Sequence, residues 1–128
     1  MSAWEPAQVE LMALLPRTGR GPRREGVYAL WLTVRVAQDM LLDPPMPERA
    51  ARRRLLALES RLSSLTLPPP LRRALAGALL QLREEGPVGV PQALGSLVAP
   101  ARESAGNEAG EALQRAARAA RQAVTPSR

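Results

Sequence analysis

Apolar residues recur along this chain at three- and four-residue intervals, and most prolines fall between those periodic stretches rather than inside them. The pattern predicts helices and no sheet. In the N-terminal segment, residues 1–16, a short helical stretch over 6–15 places Val9, Met12 and Leu15 on one side. Residues 17–26, RTGRGPRREG, have no periodicity and predict a loop. Residues 27–42 are apolar nearly all round a helical wheel, as in a helix enclosed by others. Arg35 and Asp39 stand there at i,i+4 spacing for an ion pair.

The run DPPMP, residues 43–47, ends that helix, and Pro47 suits the first turn of the next. Over residues 47–65, Ala51, Leu55, Leu58, Leu62 and Leu65 share one narrow face. TLPPP breaks the chain again, and residues 71–85 form a helix with Leu71, Leu75, Leu79 and Leu82 inward and Gly86 as its cap. Helices joined by so few residues generally pack antiparallel, so 47–65 and 71–85 predict a hairpin. Residues 91–98 make one or two turns, and 100–105 open another helix. Gly106 and Asn107 read as a stop and a fresh N-cap. An Ala-rich helix covers 108–124, and the tail 125–128 frays. The expected architecture is all-α: a compact bundle of four to five helices over 27–124, one domain.

Composition supports this. Leu and Ala, strong helix formers, dominate; Phe is absent, as are Ile and Lys, and aromatics are few. A GC-rich, bacterial genome explains the missing residues more simply than chemistry does, so arginine without lysine is not read as a choice of phosphate forks. The net charge of +6 remains, a pull toward anionic partners. The cysteine-free sequence suits a reducing cytoplasm. The first residues, MSAWEPAQVE, lack the basic region of a secretory signal. The apolar stretch 27–42, broken by Arg35 and Asp39, is too short to span a bilayer.

Residues 47–62 carry five arginines and two glutamates. Arg49, Arg52, Arg53, Arg54 and Arg61 fan across the face opposite the leucine stripe instead of forming a ridge, which favours a solvated face over a grip for nucleic acid. Arg49, Arg52 and Arg53 nevertheless crowd a helix start, as do Arg72 and Arg73, while Glu84 and Glu85 sit at a helix end. All oppose the helix dipole. By contrast, Glu108, Glu111, Arg115, Arg118 and Arg121 obey it. Antiparallel packing explains the exceptions if position numbers across the hairpin sum to about 136, so that Glu84 or Glu85 meets Arg49, Arg52, Arg53 or Arg54. Arg72 and Arg73 then face Ser64 and Ser63, with Arg61 near and no acid in reach. Arg61, Arg72 and Arg73 beside a helix start, and Arg17, Arg20, Arg23 and Arg24 in the loop, are the candidate sites for an anionic partner.

Without His, Cys or Lys, the usual general base, the thiolate and Schiff-base nucleophiles and most transition-metal ligands are missing. Ser60, Ser63 and Ser64 have nothing to activate them. Asp39 with Asp43, and Glu84 with Glu85, pair or mark helix ends more readily than they hold a metal. Neither GRG nor GPVGVPQALG has the context of a nucleotide loop. No catalytic residue, metal or cofactor is expected. The expected function is that of a non-enzymatic helical interaction protein, an adaptor or subunit, binding a protein partner or its own copy. The apolar 27–42 helix and the alanine face of 108–124 (Ala109, Ala112, Ala116, Ala117, Ala120) are the surfaces offered. The alternative is a nucleic-acid-binding subunit, favoured by charge and opposed by the scarcity of aromatics for stacking.

Overall fold

Leucine and alanine at helical spacing become helix throughout the computed structural model, which describes residues 4–17, 19, 21–41 and 46–124. Seven α-helices lie among the described residues: α1 (Trp4–Leu14), α2 (Pro22–Met40), α3 (Glu48–Ser63), α4 (Pro69–Glu85), α5 (Val90–Ser96), α6 (Val98–Ala105) and α7 (Asn107–Val124). Tight 3-10 turns occupy Leu15–Arg17 and Gly86–Gly89, and no strand occurs among the described residues. The all-α class is as expected, but the helices outnumber the four to five expected. The excess is in α1, α5 and α6, too short to persist alone and held by burial: Leu11, Leu94 and Ala101 are fully enclosed. The expected frayed tail, 125–128, lies outside the described residues.

The centre is α7. Its alanine face, Ala109, Ala112, Ala116, Ala117 and Ala120, is buried with Leu113, and it packs against α6, α5, α1 and α2. Small side chains let backbones approach. At Gly110 an added Cβ would stand 2.9 Å from the Cβ of Arg102 on α6. The face offered for a partner is therefore the core of the molecule itself.

Helix α2 is enclosed as its pattern predicts, in contact with α1, α6, α3 and α7, with Arg35 exposed. Thr33, fully buried, satisfies its hydroxyl by donating to the Ala29 carbonyl at 2.8 Å. Two expectations fail here. The helix starts at Pro22, not 27, because proline tolerates the first turn, where its missing N–H is not needed; periodicity alone passes over that signal. Arg35 stacks on the Trp31 ring, 5.4 Å from its centroid, and Asp39 pairs instead with Arg54 of α3 at 2.6 Å. Asp43 lies outside the described residues.

On α1 the expected face is reversed. Trp4, Ala7, Leu11 and Leu14 are buried, while Val9 is 66 % and Met12 44 % exposed. This short helix is apolar on both sides, so its wheel offers two solutions. Packing against α2 and α7 selects the one with tryptophan and two leucines.

The seven leucines expected inside α3 and α4, Leu55, Leu58, Leu62, Leu71, Leu75, Leu79 and Leu82, all join the core, as does Ala51; Leu65 is half-buried. Gly86, at φ +68°, closes α4 with its N–H on the Leu82 carbonyl. Gly106, at φ +100°, separates α6 from α7. Both conformations suit glycine and few other residues.

Candidate functional site

Between α3 and α4 the side chains leave a hollow of about 510 Å³. Leu62, Leu67, Leu75 and Leu79 form its apolar floor, Glu59 and Arg83 span it as an ion pair, and Arg72 stands at one end. A second hollow, about 270 Å³, continues along the same two helices over Ala51, Leu55 and Leu82, with Glu84 and Glu85 at its end. The second shares only Arg83 with the first and is lined also by Met40, Met46 and Pro87, while the first is the trough of the α3–α4 pair. Leu80, on its α4 wall, is 49 % exposed. Leu56, 62 % exposed, is one turn from both Arg52 and Glu59, which line the hollows.

The expected bridges from Glu84 or Glu85 to the α3 arginines are absent: neither glutamate forms an ion pair among the described residues. Arg52 pairs with Glu48 at 2.8 Å, Arg54 with Asp39, and Glu59 with Arg83. Helical side chains lean toward their own N-terminus. In the antiparallel register expected from the sequence, residues directly opposite, such as Arg52 and Glu84, would therefore lean apart. Residues such as Glu59 and Arg83, offset so that each lies N-terminal to the other's foot, lean together.

The candidate arginines have different surroundings. Arg72 and Arg73 are exposed in the first two turns of α4 and form no ion pair among the described residues. Arg61 donates to the Tyr28 hydroxyl at 2.8 Å and lies over its ring. Arg17 is not the free loop charge expected, since it pairs with Glu108 at 3.2 Å. Arg23, in the first turn of α2, donates to the Ala105 carbonyl at 3.4 Å. Arg24 is exposed without an ion pair among the described residues, and Arg20 lies outside them. The starts of α2 and α4 meet: the Thr66 N–H donates to Glu25 at 3.0 Å, and a Cβ on Gly26 would touch Leu71 at 3.0 Å. Arg23, Arg24, Arg72 and Arg73 thus share one end of the molecule with two positive helix termini.

Compared with known proteins, the chain matches no family model, no curated sequence and no solved structure. Its residues must speak for themselves. Among the described residues no group of three carboxylates gathers as a metal site, and no helix is long and apolar enough to cross a membrane.

Sequence periodicity could not find the trough. It identifies which residues face inward, whereas the trough is the space two helices leave between them. The one available signal was Leu80, a leucine set outside its helix's buried stripe.

Proposed function

We propose that the chain is a non-enzymatic interaction protein, an adaptor or subunit that receives a protein partner in the trough between α3 and α4, these two forming an antiparallel hairpin. The carrying observation is the apolar trough itself, with Leu80 exposed on its wall. An exposed leucine beside a lined hollow marks a surface whose burial is still to be gained, at about 25 cal/mol per Å². The surfaces on α2 and α7 offered by the sequence are occupied internally, which leaves this one. The cysteine-free composition supports cytoplasmic work.

The second reading, nucleic-acid binding, is favoured by Arg23, Arg24, Arg72 and Arg73 at one end. Tyr28 and Trp31, however, stack on each other and lie under Arg61 and Arg35, so neither offers a free face for a base. The test is recovery of bound proteins from a native lysate by the intact chain and by Leu80→Glu, with and without nuclease. A protein that survives nuclease and high salt but is lost with Leu80→Glu is expected. Binding abolished by nuclease and indifferent to Leu80→Glu refutes the reading.

A further inference from the structure

We infer that the side of α2 left open by packing is a second contact surface, taking a short acidic segment of a protein in the forks of ring-stacked arginines. It lies apart from the trough and stands or falls separately from it.

Arg24, Tyr28, Trp31 and Arg35 follow one another on α2 at four-, three- and four-residue steps. At ~100° per residue they fall within about 60° of one another on the helix. They form the ridge that the α3 arginines do not. Tyr28 and Trp31, both half-buried, stack with ring centroids 6.1 Å apart. Arg35 lies over Trp31, and Arg61 arrives from α3 over Tyr28, donating to its hydroxyl at 2.8 Å. Arg24, Arg35 and Arg61 are exposed, and none forms an ion pair among the described residues. The nearby acids are engaged elsewhere: Glu25 accepts from the Thr66 N–H, and Asp39 pairs with Arg54.

A guanidinium resting on a ring keeps its in-plane N–H groups available, in the fork that meets a carboxylate at two points. Arg61 keeps N–H groups beyond the one given to Tyr28. Because the ring already holds each fork, less freedom is lost when an acid binds. Nucleic acid suits the ridge less well. The rings, stacked on each other and capped by arginine, have no face left for a base. The ridge is also short, ~17 Å from Arg24 to Arg35 at ~1.5 Å per residue. That is about five residues of extended peptide at ~3.3 Å each. A longer phosphate backbone would run on to Asp39, the next residue on this side.

The probe is a peptide of alternating glutamate and glycine, about eight residues long so that it covers the ridge, titrated into the full chain by calorimetry. Binding is expected. Arg35→Lys with Arg61→Lys should weaken it about tenfold with the charge unchanged, because an ammonium has no planar fork. Arg52→Lys with Arg53→Lys, on α3, should leave binding as it was, and so should Leu80→Glu in the trough. All these sites are exposed, and equal melting temperatures would show that the variants fold. In nitrogen NMR the Trp31 indole and the Arg35 and Arg61 side-chain signals should move on binding.

Failure to bind, equal losses in the two double variants, or no loss in either overturns the inference, since charge alone would then account for any attraction. Loss on Leu80→Glu would put the peptide in the trough instead. Single-stranded DNA held more tightly than the peptide at equal salt would give the ridge to nucleic acid. Each of these outcomes sinks the acidic-segment surface and leaves the trough to its own test.

Discussion

Leu58 and Leu56 stand two positions apart on α3 and differ completely in surroundings. Leu58 is in the core, 4 % exposed, and Leu56 faces solvent. Truncating Leu58 removes buried methyl groups and leaves a void, so Leu58→Ala should cost ~2–5 kcal/mol. Leu56→Ala should stay within about 0.5 kcal/mol. Urea titration of both variants checks the pair; near-equal losses would mean that α3 faces another way. The contrast was legible in the sequence because a leucine stripe on a long helix fixes one face. For Val9 and Met12 it was not, since the other side of α1 is also apolar. Individual charge pairs were harder still. Arg54 reaches Asp39 on another helix instead of leaving it to Arg35, which lies over Trp31. Spacing along one helix carries no information about a cation arriving from the next.

Two glycines show how differently helices can be held. Gly77 lies within α4 with nothing inside 4 Å of the position its Cβ would take. Gly77→Ala should therefore stabilise the protein by about 0.5–1 kcal/mol, by restricting the unfolded chain. Gly110 in α7 faces the Cβ of Arg102 at 2.9 Å and the carbonyl of Val98 at 3.3 Å. Neither neighbour is a flexible side-chain end that moves cheaply. Gly110→Ala should force α6 and α7 apart and cost ~1–3 kcal/mol despite alanine's better helix propensity. Opposite shifts in melting temperature are expected, and a gain from both substitutions would contradict the close approach of α6 and α7. Helix identity was largely readable from apolar period, proline and glycine. The start of α2 at Pro22 was signalled by its proline but passed over by periodicity, and α1, α5 and α6, each anticipated as a helical stretch or turn, are held in place by packing.

Charge acts at the scale of the whole molecule. Arg23, Arg24, Arg72 and Arg73 meet at the joined starts of α2 and α4, and the nearby carboxylate Glu25 is engaged by the Thr66 N–H. Arg52, by contrast, is already paired with Glu48. Binding of polyglutamate at low salt should thus fall more with Arg72→Ala and Arg73→Ala together than with Arg52→Ala and Arg53→Ala together. Titration at matched fold stability decides it, and a larger loss in the second double variant would return the role of grip to the arginine run of α3. Added salt should weaken this binding steeply, since the sites are exposed.

The placement of α7 at the centre also bears on how the chain acquires its shape during synthesis. Of the described helices it is the last that a ribosome makes, yet α1, α5 and α6 bury their inner faces against it. Until it emerges, Trp4, Leu11, Leu94 and Ala101 have no completed core to enter. Among the described helices, α1, α5 and α6 thus keep apolar faces exposed until α7 is made. A helix of small alanines thus closes the contacts of α1, α2, α5 and α6 together, after the other described helices have been made.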